Sequence, residues 1–117
     1  TRRDLQNKAK ENRKPWDTAK DVDESAVITP LRQMSEVPSV ASGHIHLSQN
    51  GTVKQDADLS EMVWSVPEII ADLSTMYTLQ QGDVIYMGTP AGVGAVSRGD
   101  VLTGGVEGIG DFEVKIA

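Results

Sequence analysis

The spacing of apolar residues changes along this chain, and each spacing predicts a different element. Residues 1–14 are almost all polar or charged, with Leu5 and Ala9 four apart. That thin apolar stripe predicts a short, mostly exposed helix. Lys14-Pro15 ends it, because the residue before proline disfavours the right-handed helical region. Residues 16–30 read as a loop followed by a short strand near Ala26-Val27-Ile28-Thr29, and residues 31–43, with Pro38, Ser39, Ser42 and Gly43, as a surface excursion. His44-Ile45-His46-Leu47-Ser48-Gln49 alternates polar and apolar, Asn50-Gly51 suits a type I′ turn, and Thr52-Val53-Lys54-Gln55 returns as the second arm of a hairpin. Met62, Val63, Val66, Ile69, Ile70, Leu73 and Met76 then follow the 3.6-residue period. Pro67 falls inside that pattern, which predicts a turn over 60–65 and a helix starting near Ser65. Pro67 then lies in the first turn, where its missing N–H costs nothing. After Gly82 the chain becomes β-rich, with strands expected near 83–87, 100–106 and 111–116. The Gly-Asp pairs at 82–83, 99–100 and 110–111 read as recurring turn chemistry rather than as an internal repeat.

Composition narrows the class. A chain of 117 residues can hold one domain with a core but not comfortably two. With 38% hydrophobic and 4% aromatic residues, that core is lean and is expected to lean on partner surface or on further chain. The net charge of −6 argues against nucleic acid and anionic membranes as partners. The absence of cysteine excludes a disulfide framework and a thiolate metal site. No run approaches the ~18 apolar residues of a membrane helix. No signal peptide pattern is visible, which by itself says little of location; a cytoplasmic one is expected. The chain starts at Thr1 and runs straight into charged sequence, which reads as a processed or truncated product.

Candidate chemistry centres on residues 82–94. A Gly-Asp turn and an expected buried strand lead into Gly88-Thr89-Pro90-Ala91-Gly92-Val93-Gly94. Proline fixes its own φ and the glycines admit positive φ, so the loop can present backbone amides and the Thr89 hydroxyl to an anion or carboxylate. A nucleotide site fits poorly, since the spacing is neither G-x-G-x-x-G nor a P-loop. His44 and His46 would face one side of their strand, either as a metal pair or, more simply, as solvent-facing strand surface. Asp17, Asp21, Asp23 and Glu24 form an acidic cluster that reads as a solvated loop beside Lys20.

Gly88-Thr89-Pro90-Ala91-Gly92-Val93-Gly94 followed by Gly99-Asp100 resembles the signature of the fumarylacetoacetate hydrolase family. Thr1-x-Arg3-Asp4-Leu5-Gln6 with Pro15-Trp16-x-x-Ala19-Lys20 resembles another family segment. The hairpin, Ser60-Glu61-Met62-Val63-Trp64-Ser65-Val66-Pro67 and Glu107-Gly108-Ile109-Gly110 follow in order, so the likeness covers nearly the whole chain. It implies an α+β, predominantly β fold: a mixed-sheet roll of the family's C-terminal type with short flanking helices, residues 1–117 forming a single, partial catalytic domain.

The likeness is strongest to members that hydrolyse acylpyruvates, including fumarylpyruvate. It implies a metal-dependent hydrolase that cleaves a C–C bond to give pyruvate and a carboxylate. Alternatives are an isomerase or decarboxylase of an unsaturated 2-oxo dicarboxylate in aromatic compound catabolism, or a catalytically incomplete fragment. By the same resemblance Lys20 stabilises the enolate and Gln6 orients the substrate. Thr89, with Gly88 beside it, holds the substrate carboxylate. Arg3, one helical turn before Gln6, either supports the carboxylate or braces the site. Against these readings stand plainer ones: a solvated lysine, an exposed polar helix face and a turn threonine satisfying its own backbone. The cofactor implied is Mg²⁺ or Mn²⁺, with its ligands expected upstream of residue 1. The partners implied are a small oxo-acid substrate and a second copy of the chain. Asp21-Val22-Asp23-Glu24 departs from the family pattern; carboxylates there favour the charged form of Lys20 but repel an anionic substrate.

Overall fold

The computed structural model describes residues 1–117. They form two compact units, Thr1–Leu31 and Arg32–Ala117.

In the first unit, α1 (Arg3–Glu11) packs against the single turn α2 (Asp17–Lys20). The stripe that predicts α1 is real but shifted: Gln6 and Ala9 are buried, while Leu5 is half-buried. The helix stops as the Lys14-Pro15 pair predicts. Arg13 turns left-handed at φ 53°, and Lys14 N donates back to Ala9 O at 2.8 Å. Ala19 is fully buried, and its carbonyl accepts from Arg2 N at 3.0 Å, tying the start of the chain to α2. The strand expected at 26–29 does not form. Val27 and Ile28 are more than half exposed, and no strand pairs with them, so β-branched residues alone do not make a strand there.

The second unit is built on a four-stranded sheet in the order β2-β1-β3-β4, antiparallel at every pairing. Its strands are β1 (His44–Gln49), β2 (Thr52–Asp58), β3 (Val101–Val106) and β4 (Gly110–Lys115). Together with its short helices this gives the α+β, mainly β class. The hairpin turns where the sequence places it, with Asn50 at φ 52° and Gly51 at φ 77°, as a type I′ turn requires.

Asp100 then locks that turn to β3. Its carboxylate accepts from Gln49 Nε2 (2.6 Å), Asn50 Nδ2 (2.8 Å) and Ser97 N (2.8 Å), while Asn50 Oδ1 accepts from Val101 N (2.9 Å). The Gly-Asp pair at 99–100 is therefore a structural clasp between sequence-distant strands. In the middle of β3, a Cβ at Gly104 would stand 2.6 Å from His46 O and 3.1 Å from the Phe112 ring. Glycine lets Phe112 lie across the sheet. On β4, Phe112 and Val114 turn inward and Asp111, Glu113 and Lys115 outward, the period-two alternation of a half-buried strand.

α3 (Val66–Met76) begins at the predicted place. Ser65 is its N-cap: Ser65 Oγ accepts from Glu68 N at 3.4 Å, and Glu68 Oε2 accepts from Ser65 N at 2.7 Å, a capping box with Pro67 in the first turn. Val66, Ile69 and Leu73 form its half-buried face, and Met62, ahead of the helix, is half-buried too.

The strand expected at 83–87 is absent as a ladder. The segment is unpaired, and although Ile85 and Met87 turn inward, Val84 and Tyr86 are 59% and 66% exposed. Alternation survives, but a strand also needs a neighbour's hydrogen-bonding edge, and none of β1–β4 supplies one. The core is lean throughout: Ala9 and Ala19 are the buried apolar residues, and no large side chain is fully buried. No helix is long and apolar enough to cross a membrane.

Candidate functional site

Within the first unit, α1 and α2 place the candidates in two pairs. Lys20 ends α2 and is exposed, with Nζ donating to Thr1 Oγ1 at 2.9 Å. Thr1 is thereby fixed beside the ammonium, which keeps two further N–H donors for another partner. Arg3 and Gln6 share a helix face, and Arg3 Nη1 donates to Gln6 Oε1 at 2.6 Å. Gln6 is 3% exposed, so the plain reading of a solvated helix face fails for it. A buried amide held at its oxygen by a guanidinium has a fixed orientation, and its NH₂ is turned away from Arg3 as a donor. Arg3 is a brace for Gln6 here.

Within the second unit, the glycine loop rests on β2. Gly92 has φ 103°, and a Cβ there would run into the Lys54 carbonyl oxygen. Glycine thus lets the loop backbone touch the strand. Next to that contact, Gln55 Nε2 donates both to Thr89 Oγ1 (2.8 Å) and to Pro90 O (2.8 Å). The loop is therefore held at three points: Thr89, Pro90 and Gly92. Gly88, at φ 103° and with open space where a Cβ would be, shapes the approach to Thr89.

Gly88 and Thr89 line a cleft of about 530 Å³ whose walls include Ile45, Met62, Trp64 and Ile69, with Asp56, Asp58 and Glu61 among the lining residues. Hydrogen bonds from Ser60, and then from Gly43 N, hold Asp58 below the usual carboxylate range, so it is ionised near neutrality. Gln55 is the residue that sequence reasoning passes over. It lies in the predicted hairpin, but its partners are 34 and 35 positions away, and no spacing rule links them.

The two histidines stack, with ring centroids 5.1 Å apart, and His44 Nε2 pairs with Asp56 Oδ1 at 2.8 Å. They share a face, as strand geometry predicts. No three His, Cys, Asp or Glu residues come close enough to hold a metal ion, so the residues of this chain do not by themselves frame a divalent-cation site.

The family description "Fumarylacetoacetate (FAA) hydrolase C-terminal" matches residues 1–117. The chain belongs to the fumarylacetoacetate hydrolase family. It is 49% identical over 116 residues to a fumarylpyruvate hydrolase of Ralstonia sp., covering 99% of this chain and 60% of that protein. It is 34% identical to the rat mitochondrial oxaloacetate tautomerase FAHD1, covering 52% of it. The crystal structure of fumarylpyruvate hydrolase from Pseudomonas aeruginosa in complex with Mn²⁺ and pyruvate superposes on all of this chain. The TM-score is 0.95 at 39% identity, over 50% of the solved chain. The chain thus spans about half to three-fifths of the length of these relatives.

Proposed function

We propose that the protein carrying this chain is a divalent-metal-dependent hydrolase that splits an acylpyruvate, such as fumarylpyruvate, into pyruvate and a carboxylic acid. The observation that carries the reading is the likeness of the whole of this chain to half of the fumarylpyruvate hydrolase solved with Mn²⁺ and pyruvate. The 49% identity to a second fumarylpyruvate hydrolase supports the same substrate class.

In this reading water adds to the acyl carbonyl. The C–C bond to the pyruvate methylene then breaks, and its electron pair passes to an enolate that takes up a proton to become pyruvate. An enolate leaves readily only where its charge is met by fixed cations and donors. Lys20, exposed and tethered only to Thr1, supplies the cation. Gln6, locked by Arg3, supplies an oriented amide donor to a substrate oxygen. Thr89, on its strapped loop, donates to the substrate carboxylate. The divalent cation would polarise the oxo groups, and the steps above rest on this chain's own side chains. A homodimer in the cytoplasm remains part of the proposal.

A second reading is an isomerase on a 2-oxo dicarboxylate, in which the enolate is reprotonated without C–C cleavage. The 34% identity to an oxaloacetate tautomerase favours it. The test is product analysis of the full-length protein with fumarylpyruvate and with oxaloacetate. Release of free pyruvate from fumarylpyruvate supports hydrolysis. Loss of enol absorbance from oxaloacetate, with no pyruvate formed from fumarylpyruvate, supports the isomerase.

A further inference from the structure

The strap from β2 to the glycine loop has a consequence for proton placement. Gln55 Nε2 carries two hydrogens and lies 2.8 Å from both Pro90 O and Thr89 Oγ1. A backbone carbonyl can only accept, so the amide nitrogen, and not the amide oxygen, must face Pro90. The second hydrogen of that nitrogen then points at Thr89 Oγ1, which accepts. A hydroxyl engaged as an acceptor has its single proton left to donate elsewhere.

We propose that Gln55 is a positioning residue that fixes Thr89 as a hydrogen-bond donor toward the substrate carboxylate. Gln55 touches no reacting atom; it acts through Thr89 by occupying an acceptor lone pair and by holding the loop at Pro90. The inference rests on the reading of Thr89 as the residue that holds the carboxylate. Gly92 assists in the same way from the backbone side, since its missing Cβ lets the loop settle on Lys54 and brings Thr89 within reach of Gln55.

The proposal makes a specific distinction between two Gln55 variants. Gln55→Leu removes the donor and leaves the Thr89 hydroxyl free to rotate. Gln55→Glu replaces the donor with a carboxylate that accepts from Thr89, turning the proton away from substrate. A merely structural strap would make both variants equally loose. Donor fixing predicts that Gln55→Glu is the worse of the two, and that it recovers as its carboxyl is protonated and becomes a donor again.

The experiment measures pyruvate affinity by calorimetric titration, together with KM and kcat, on the full-length, Mn²⁺-loaded protein. The proteins compared are wild type, Gln55→Leu, Gln55→Glu, Thr89→Val and Thr89→Ser, with thermal midpoints recorded in parallel. The expected result is about a tenfold loss of pyruvate affinity for Gln55→Leu, and a larger loss for Gln55→Glu that narrows, relative to wild type at each pH, only as pH falls into the ordinary carboxylate range. KM should rise more than kcat falls, and Thr89→Ser should bind close to wild type. If Thr89→Val binds pyruvate as wild type does, the carboxylate reading of Thr89 is wrong and this inference goes with it. If Thr89→Val binds weakly while Gln55→Leu and Gln55→Glu match each other or wild type, the Thr89 reading stands and the role given to Gln55 is overturned.

Discussion

A threonine hydroxyl that has lost its choice of proton direction is a different group from one on a free loop, and Thr89 shows how far a residue's role depends on its neighbours. With Gln55 donating to its oxygen, Thr89 is set to give one hydrogen bond. Lys20 is the complementary case, an exposed ammonium whose recorded hydrogen bond goes to Thr1. If Lys20 meets the developing enolate as proposed, Lys20→Ala in the full-length protein should lower kcat by about 100-fold or more, with a smaller effect on KM, because such a charge acts mainly in the transition state. Steady-state kinetics on acylpyruvate substrate check this. Gly92→Ala should destabilise the fold by about 2 kcal/mol, since its φ of 103° and its contact with the Lys54 carbonyl both exclude a side chain. Thermal unfolding reads that loss, and a parallel rise in KM would register the displaced loop. At this scale, with the roles of Lys20, Gln6 and Thr89 a proposal, Thr89 and Lys20 were legible from their motifs as candidates. The buried state of Gln6 was not, because periodicity placed it on a polar face and only the packed structure shows it covered.

At the scale of elements, the strands expected near 100–106 and 111–116 form as β3 and β4, whereas the two expected strands without a pairing neighbour do not. The 44–58 hairpin and the Ser65 helix start are each written within a few residues, as Asn50-Gly51 and as Ser65 with Glu68 three positions on. The strand expected at 83–87 failed because pairing is decided by a partner far away in sequence. The strand at 26–29 failed for want of any partner. Ser65→Ala should cost about 1 kcal/mol of stability through the lost cap, measured by chemical denaturation.

The clasp and caps also set an acid limit. Asp100 is held below the usual carboxylate range by hydrogen bonds from Ser97 N, Asn50 and Gln49, and Glu68 is held low by Ser65. A carboxyl with a lowered folded pKa binds its proton more readily when unfolded. Its contribution is therefore present above the ordinary carboxylate pKa and is lost as pH falls through the lowered folded value. The melting temperature should hold through neutral pH and drop below about pH 4. Asp100→Asn should flatten part of that drop while lowering stability at pH 7; melts across pH test both.

At the scale of the whole molecule, the chain shows more apolar surface than its sheet and helices cover. Leu31 is 87% exposed, Val63 93% and Tyr77 63%, while the fully covered apolar residues are alanines. This is the lean core the composition predicted, in a chain spanning about half to three-fifths of its relatives' length. These 117 residues expressed alone should bind an apolar dye and unfold with a shallower urea slope than the full-length protein, because less surface is buried to be re-exposed. A dye-silent chain with a steep, cooperative transition would contradict that expectation.

The central claim is that this architecture serves C–C bond hydrolysis of an acylpyruvate. It is tested most directly by following pyruvate release from fumarylpyruvate by the full-length protein with Mn²⁺, through a coupled lactate dehydrogenase assay. The account predicts one pyruvate per substrate consumed, activity lost with a chelator and restored by Mn²⁺, and near-complete loss in Lys20→Ala. Substrate consumed without pyruvate, or pyruvate released at the wild-type rate by Lys20→Ala, would contradict it.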